Sequence, residues 1–225
     1  MSYRILCVSA TEAEAGLTGY DKPGRPLSED LRINGHVMQR IVTGVGSVST
    51  VWALKEWLCK NSAPDLIINT GIAGSFRDDI VPGDVVMPVT DCFADLGIET
   101  EAGFLTIFES ELADPEAFPF SKGILRSGNR FVTKASDLVR PVNAATVNTV
   151  SGTQSTIEKL RNTFNPDIET MEGAAFFYIC AREKVPFMAL RAISNRIEIR
   201  DRSKWNIPLA LGNLEATLVE FIKSL

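Results

Sequence analysis

The sequence predicts an α/β fold: a single domain over residues 1–225, built as three α/β/α layers around a central mixed sheet. Short apolar segments alternate along the chain with segments of helical periodicity, the pattern typical of α/β proteins. No internal repeat, low-complexity tract or linker interrupts this alternation. With 225 residues, 45% hydrophobic and 23% charged, the chain is long enough to bury a core that needs no disulfides or metals.

In the N-terminal half, Ile5–Val8 reads as a first strand. The turn signal Asn34-Gly35 separates two apolar runs and predicts a hairpin over residues 31–42. A helix is expected over residues 48–60, because five side chains can form one apolar face: Val48, Val51, Trp52, Ala53 and Leu58. Further strands are predicted at residues 66–68 and 84–89, the first leading into Thr70-Gly-Ile-Ala-Gly74.

In the C-terminal half, residues 94–120 are acidic, aromatic and irregular, and are interpreted as an insertion or lid. The periodicity beyond it predicts strands near residues 122–127, 146–150 and 187–193, and helices at 154–163, 172–183 and 209–225. The last helix has a core-facing stripe, formed by Leu211, Leu214, Leu218, Phe221, Ile222 and Leu225.

The composition excludes several classes of protein. A formal charge of -5, with no basic stripe, argues against nucleic acid as a partner. No apolar span approaches membrane length, so no membrane association is expected. The four cysteines are far apart and form no C-x-x-C pair, which disfavours a disulfide framework or metal site and is consistent with the reducing cytoplasm.

The chain has one histidine, His36, and it adjoins the hairpin turn, where a structural role is expected. Ser-His-Asp chemistry and histidine metal sites are therefore disfavoured. If the chain is catalytic, it must then use carboxylates.

Candidate functional side chains follow from the predicted strand and helix ends. Glu172 begins an apolar helix, and Ser194-Asn195 ends an apolar strand. Since ligands of open α/β sheets bind outside the carboxyl ends of the strands, the two segments are expected to face one cleft. A carboxylate there can bind vicinal hydroxyls, and an amide can bind the edge of a heterocycle, so a nucleoside site is predicted.

The segment after the first strand is acidic, with Glu12 and Glu14, and contains no Arg or Lys from Ser9 through Asp21. These carboxylates either favour a helix N-terminus or act at the site. They would repel phosphate, whereas an attacking water suits a carboxylate base. The glycines of Gly71-Ile-Ala-Gly74 either allow close approach of a ligand or mark a simple turn. Gly44-Val-Gly46 lacks the third glycine of a dinucleotide fingerprint, so no NAD site and no other cofactor is expected.

Taken together, six motifs resemble the nucleoside phosphorylase and nucleosidase superfamily, in its order and spacing and along nearly the whole chain. They are Ala10-Thr-Glu-Ala-Glu14, Asn69-Thr-Gly-Ile-Ala-Gly74, Gly83-Asp84-Val-Val, Val150-Ser-Gly152, Glu169-Thr-Met-Glu172-Gly173 and Arg191-Ala-Ile-Ser194-Asn195. A narrower resemblance is to the futalosine hydrolases of menaquinone biosynthesis. It is carried by Phe93-Ala-Asp95-Leu-Gly97, Val150-Ser-Gly-Thr153, and Ser194-Asn195 followed by Arg200-Asp201-Arg202-Ser-Lys-Trp205.

The resemblance implies a nucleoside phosphorylase-like fold and a role for each matching position. Glu14 matches the carboxylate that activates the attacking water, and Met171 with Glu172 matches the pair that binds the ribose. The backbone of Ala73 and Gly74 falls where the family lines the ribose and water site. Thr153 and Gln154 lie in the segment that runs past the base. The superfamily also implies a small-molecule nucleoside substrate and a homo-oligomer, dimer or tetramer, in which a neighbouring subunit completes the site.

Two departures from the methylthioadenosine nucleosidases bear on the base. Those enzymes carry Ser-Asp where this chain has Ser194-Asn195, and an asparagine can donate to N7 or to a 6-oxo oxygen but cannot titrate. Asn195 therefore favours hypoxanthine over adenine. The aromatic residue of those enzymes near Ser155-Thr156 is absent here, which leaves the ring that stacks on the base open.

The 5′ group of futalosine carries a carboxylate, for which four arginines are candidates: Arg77, Arg196, Arg200 and Arg202. The insertion, with Phe93, Phe104 and Phe108, is a candidate cover for that end of the pocket. Three alternatives to a futalosine hydrolase stay open: a methylthioadenosine/S-adenosylhomocysteine-type nucleosidase, a purine nucleoside phosphorylase and a non-catalytic nucleoside-binding protein.

Overall fold

The computed structural model describes residues 2–17, 29–101 and 103–225. A nine-stranded mixed sheet forms its centre, and a separate two-stranded hairpin stands beside it. The strands are β1 Arg4–Ser9, β2 Leu31–Ile33, β3 His36–Val42, β4 Leu66–Ser75, β5 Val85–Asp91, β6 Gly97–Thr100, β7 Gly103–Thr106, β8 Leu125–Arg126, β9 Arg140–Thr146, β10 Ile168–Thr170 and β11 Phe187–Arg196. The helices are α1 Glu12–Ala15, α2 Ser47–Lys60, α3 Arg130–Ala135, α4 Gln154–Phe164, α5 Gly173–Glu183 and α6 Ile207–Ser224.

Three adjacent parallel strands lie at the centre of the sheet. β4 pairs with β1 on one side and with β11 on the other, and β1 also pairs in parallel with β3. β11 pairs antiparallel with β5, which itself runs parallel to β9, so the sheet is mixed as the sequence predicts. The carboxyl ends of β1, β4 and β11 therefore meet at one edge, where a ligand site is expected.

Helices cover both faces of the sheet. On one face α2 and α5 pack together over a cluster that includes Leu6, Leu54, Phe176 and Phe177. On the other face α6 brings Leu214, Leu218, Phe221 and Ile222 against the sheet, as the predicted stripe requires. The three-layer α/β/α prediction is confirmed. Among the described residues no helix has the length and apolarity needed to cross a bilayer.

Strand β4 is longer than predicted. Its sequence suggests that the strand ends at Ile68, but it continues to Ser75 because β11 pairs with it along its length and β10 pairs with its last two residues. Ala73 and Gly74 are thus strand residues. β11 contains a register shift between Ile193 and Asn195, and such bulges re-aim side chains next to active sites.

The predicted apolar face of α2 is only partly right, because Val51 and Leu58 pack against the core but Val48 and Trp52 do not. Val48 is 83% exposed and Trp52 is 73% exposed, whereas Thr50 and Leu54 are buried. Non-charged side chains occur on more than one side of this helix. The periodicity of the sequence alone therefore does not show which side faces the sheet. The side that meets α5 decides this, and the stripe of Val48 and Trp52 is left on the surface.

Several boundaries differ where short elements pair with distant ones. The strand expected at 146–150 is β9, which ends at Thr146, and the strand expected at 122–127 shortens to β8. α3, β10 and the start of β9 have no clear periodicity and were missed. The insertion contains the β6–β7 hairpin, which pairs only with itself among the described strands.

Candidate active site

A cavity of about 360 Å³ opens at the carboxyl ends of the central strands. This is within the range of small-molecule sites. Seven of the nine sequence-predicted site residues line it: Glu14, Ala73, Gly74, Met171, Glu172, Ser194 and Asn195. Residues that sequence reasoning missed also line it, among them Val45, Val150, Ser151, Ile197 and Trp205. The fold therefore brings residues from seven separate segments to one place.

Glu14 is held by three donors. The N–H and the hydroxyl of Thr11 donate to its Oε2 at 3.0 and 2.8 Å, and the N–H of Ile72 donates to its Oε1 at 3.0 Å. Thr11 is the N-cap of α1, and the two residues form a capping box. A Cβ on Gly71 would lie 2.9 Å from Oε1, so the glycine makes room for this carboxylate. The carboxylate is thus fixed at the cavity wall.

Glu172 is the N-cap residue of α5, yet its side chain makes no capping hydrogen bond to that helix. Its Oε1 instead accepts from the N–H of Gly46 at 2.9 Å. Gly46 has φ 93°, a conformation that favours glycine. Burial raises the pKa of Glu172, as does the negative charge of Glu14, while the Gly46 N–H and Arg191 oppose the shift. The Gly44-Val-Gly46 segment therefore positions the carboxylate of Glu172.

Arg191 is a buried cation beneath the cavity and is only 1% exposed. Its guanidinium donates to the backbone oxygens of Asn69 and Leu190 at 3.0 and 3.1 Å, and to the Asn69 side chain. Burial lowers its pKa, and the charges of Glu172, Glu14 and Asp91 oppose that shift. Arg191 therefore offsets the charge of the site carboxylates. An arginine inside the apolar run Phe187–Ile193 was the available signal, and sequence reasoning did not use it.

Asn195 lies at the other end of the cavity, in β11. Its Oδ1 accepts from the hydroxyl of Ser194 at 2.8 Å, and its Nδ2 donates to the backbone oxygen of Arg196 at 2.9 Å. These two hydrogen bonds fix the orientation of the Asn195 amide. One of the two hydrogens on its Nδ2 remains available to a ligand. Trp205 lines the cavity here, with the Arg200 guanidinium 5.6 Å from its ring centroid. It is an aromatic ring on this wall that the sequence left unassigned.

The structure does not place Thr153 and Gln154 in the cavity. Thr153 is the N-cap of α4, where its hydroxyl accepts from the N–H of Thr156, and the Gln154 amide donates to Glu158. Both side chains point to solvent because helix α4 begins at this point and turns them away from the sheet edge. Val150 and Ser151, just before them, form this part of the wall.

The arginines and aromatic residues expected around the 5′ group are also elsewhere. Arg196 pairs with Asp78, and Arg77 pairs with Asp79 at 3.0 Å. None of the four candidate arginines lines the cavity: Arg77, Arg196, Arg200 and Arg202. Phe93 and Phe108 line a second cavity, and Phe104 contacts Lys159, so within this chain the insertion does not cover the site. No group of three or more potential metal ligands occurs within residues 2–17, 29–101 and 103–225.

Asp91 lies behind the site, beneath the first turn of α5, and is 1% exposed. Its Oδ1 accepts from the Thr146 hydroxyl at 2.9 Å and from the Cys92 N–H at 2.8 Å, while Oδ2 has no hydrogen-bond partner in the described part of the chain. Burial raises the pKa of Asp91 to about 7. A Cβ on Gly173 would lie 2.1 Å from Oδ2, so glycine at this helix start accommodates the carboxyl.

Replacing Asp91 with Asn is expected to change the pH dependence of stability. Between the ordinary pKa of an aspartate, about 4, and the folded-state value, the folded protein keeps a proton that the unfolded chain releases, so stability falls as pH rises. The neutral amide of the variant does not titrate, so the variant lacks this loss. The difference in melting temperature, variant minus unaltered protein, should therefore increase from pH 4.5 to pH 7.5. The exposed Asp137→Asn is the control, and a difference that stays constant with pH would contradict the assignment.

A carboxylate-lined cavity at the carboxyl ends of parallel strands, with an amide at its far end, defines a small-molecule site of an α/β enzyme. The chain belongs to the phosphorylase superfamily, because the model of that family matches residues 28–223. Among curated relatives, the futalosine hydrolase of Acidothermus cellulolyticus is 33% identical over 94% of this chain and 86% of its own length. The 5′-methylthioadenosine/S-adenosylhomocysteine nucleosidase of Buchnera aphidicola is 27% identical over 76% of this chain and 72% of its own.

Solved structures show the same fold. The native structure of the futalosine hydrolase of Helicobacter pylori matches with a TM-score of 0.79 and 17% identity, covering 99% of this chain and 98% of that one. The methylthioadenosine/S-adenosylhomocysteine nucleosidase of the same organism, solved with butyl-thio-DADMe-Immucillin-A, matches with a TM-score of 0.80 and 17% identity over the full length of both chains. The fold is thus shared by both kinds of nucleosidase, and the choice between them depends on the site.

Proposed function

We propose that this chain hydrolyses the N-ribosidic bond of futalosine and releases hypoxanthine, a step of menaquinone biosynthesis. One observation carries the proposal: Glu14 and Glu172, each held by a backbone N–H, share a cavity whose other end presents Asn195. The curated relative that is 33% identical over most of this chain is a futalosine hydrolase, which supports the same substrate.

Breaking the bond builds positive charge on the ribose and negative charge on the purine. Glu172 binds the 2′- and 3′-hydroxyls, and its carboxylate stabilises the developing cation. The Gly46 N–H holds one carboxylate oxygen, which leaves the other for the sugar. Met171, beside it, packs against the ribose, and the backbone of Ala73 and Gly74 lines the path of the water.

Glu14 takes a proton from the attacking water as it adds to C1′. The hydrogen bonds from Thr11 and Ile72 fix the carboxylate before the substrate binds, so little reorganisation is needed when the water reacts. Arg191 lies beneath the two carboxylates, and its positive charge opposes the rise in pKa that burial causes at Glu172.

Asn195 reads the base. Its free amide hydrogen donates to N7 or O6 of hypoxanthine, and Ser194 holds the amide in that orientation. Trp205 provides an aromatic surface for the purine ring. It takes the place of the aromatic residue that this chain lacks near Ser155.

Replacing Asn195 with Asp is expected to shift preference toward adenine nucleosides, since a protonated aspartate donates to N7 while its carbonyl oxygen accepts from the 6-amino group. The ratio of kcat/KM for futalosine to that for methylthioadenosine should fall by about tenfold or more, the effect of one rearranged hydrogen bond. Ser194→Ala, which only loosens Asn195, should lower both rates without reversing the preference. Unchanged base selectivity in Asn195→Asp would disprove the base-reading role.

The deciding experiment is chromatographic. The pure protein is incubated with futalosine, inosine and methylthioadenosine, each with and without phosphate, and the released base is quantified. Phosphate-independent release of hypoxanthine from futalosine alone is the expected result. Phosphate-dependent release from inosine would indicate a phosphorylase, release of adenine a methylthioadenosine-type nucleosidase, and binding without release a nucleoside-binding protein.

A homo-oligomer, dimer or tetramer, belongs to the same proposal. Val45 lines the cavity mouth and is 54% exposed, and Val48 and Trp52 extend this apolar surface along α2. Exposed apolar patches of this kind favour protein contacts, and a second copy seated here would close the open end of the cavity. Trp52→Glu is therefore expected to lower the mass measured by light scattering at micromolar protein. The matched control is Leu112→Glu, at an exposed apolar position on the insertion. Trp205 is not a suitable control position because it lines the cavity.

A further inference from the structure

The cavity contains a third carboxyl group that the mechanism above leaves unused. Besides Glu14 and Glu172, the only titratable side chain lining it among the described residues is Glu169, on β10. Glu169 is 4% exposed, although its neighbours along the chain include no cation to pair with it. A buried carboxyl without a cation needs hydrogen bonds or a proton.

Among the described residues, the Glu169 carboxyl accepts hydrogen bonds from one residue, Ser151. The Ser151 N–H donates to Oε1 at 3.0 Å, and the Ser151 hydroxyl donates to Oε2. Ser151 is itself 6% exposed and lines the cavity. The serine hydroxyl therefore lies between the buried carboxyl and the space that a ligand would occupy.

This pair is at the base end of the cavity. Glu169 on β10 and Asn195 on β11 both pair with Gly74, one on each side of β4. Ser151 and Asn195 also share the wall of a smaller adjoining pocket with Trp205. A base that contacts Asn195 and Trp205 is thus within the reach of the Ser151 side chain.

The reaction needs a proton at this end. When the C1′–N9 bond breaks, its electron pair stays with the purine, and a general acid that neutralises this charge typically accelerates such steps by about 10²–10⁴-fold. Asn195 cannot supply the proton, because an amide does not titrate. Its oxygen is also occupied by Ser194.

We propose that Ser151 and Glu169 deliver a proton to the departing purine, an inference that rests on the proposed nucleosidase function. The Ser151 hydroxyl donates its hydrogen to a ring nitrogen of the base as the C1′–N9 bond breaks, and Glu169 replaces that hydrogen from its own carboxyl. Glu14 meanwhile takes one proton from the water that forms the new C1′–O bond. Glu14 gains one proton and Glu169 loses one. Proton exchange with solvent then returns both carboxyl groups to their starting states. Ser151 is the catalytic residue of the pair, and Glu169 acts through it.

The electrostatic surroundings support a proton on Glu169. Burial raises its pKa, and the negative charge of Asp95, in the segment after β5, acts in the same direction. The hydrogen bonds from Ser151 oppose the shift. On the far side of the Ser151 segment, Arg200 packs on Gly152. The pocket there is also lined by the charged side chains of Arg196, Glu198, Asp201 and Lys204. With the carboxyl protonated, it donates to the serine oxygen and frees the serine hydrogen for the base.

The test is the pH dependence of hypoxanthine release from futalosine by the full chain, compared with Glu169→Gln, Ser151→Ala and the exposed control Glu158→Gln. In the unaltered protein kcat should fall as pH rises through the raised pKa of Glu169. Glu169→Gln should lower kcat by about 10²-fold, with KM little changed and this decline at high pH absent. Ser151→Ala, which keeps Glu169 and tests the path if Glu169→Gln folds poorly, should lose kcat to a similar extent.

The outcomes separate the two claims. If the unaltered protein releases hypoxanthine and Glu169→Gln keeps its kcat and its pH profile, the proton path is wrong and the proposed function stands. A higher KM and a lower melting temperature with the same pH profile would assign Glu169 a purely structural role and would equally overturn the inference. If the unaltered protein releases no base from any nucleoside, the proposed function fails and the proton path fails with it.

Discussion

Glu14→Gln is expected to reduce kcat for futalosine by about 10²–10⁴-fold, the usual contribution of a positioned general base. Glutamine has the shape of glutamate and can still accept the Ile72 N–H, but it cannot take a proton from water. The base end of the cavity is unchanged, so hypoxanthine should still bind. Turnover by chromatography and product binding by calorimetry measure the two effects separately.

Glu12→Gln is the matched control, since Glu12 lies on the same short helix and is exposed. It should leave both turnover and product binding at their normal values. A Glu14→Gln protein with normal turnover would rule out Glu14 as the base. Loss of product binding together with turnover would indicate that the variant has disturbed the cavity itself.

Arg191→Met is expected to destabilise the fold by about 3–5 kcal/mol, the cost of removing one partner from a buried charge cluster. Methionine fills part of the volume, but Glu14 and Glu172 lose a nearby positive charge, and the Asn69 oxygens lose their donors. Urea unfolding at neutral pH measures the free energy of unfolding directly.

Two variants calibrate this result. Arg182→Met, at an exposed position on α5, should change stability little. Arg191→Lys keeps the charge but loses the forked geometry, so it should fall between the two. If Arg191→Met were as stable as the unaltered protein, Arg191 would not be balancing the carboxylates, and another source of compensation would have to be found.

The sequence predicted most of the central elements. β1, the hairpin of β2 and β3, α2, α4, α5, β11 and α6 all appear at or near their expected positions. Each is long or is bounded by a strong turn signal, so its local pattern is sufficient. The elements that were missed, α3, β10 and the start of β9, are short or half exposed, and the two strands are stabilised by pairing with distant strands. No local pattern reports such pairing.

The candidate site residues also divide into those that a local sequence signal marks and those that depend on distant contacts. Glu14, Met171, Glu172, Ser194 and Asn195 stand in motifs that the superfamily resemblance marks, and all of them line the cavity. Thr153 and Gln154 were misplaced by a few residues, because the wall of the cavity ends where α4 begins. Gly46 was passed over since its partner, Glu172, is 126 residues away along the chain.

By itself the sequence determined the fold class, and it picked out carboxylates and an amide as candidate site residues, since these follow from periodicity, composition and residue chemistry. The tertiary structure decided which groups meet. Only the packing of β10, β4 and β11 side by side brings Glu169 and Ser151 to the same cavity as Asn195. Burial then raises the pKa of Glu169, because the cost of ionising a carboxyl depends on the water and charge around it. Those surroundings come from several distant segments and exist only once the chain has folded.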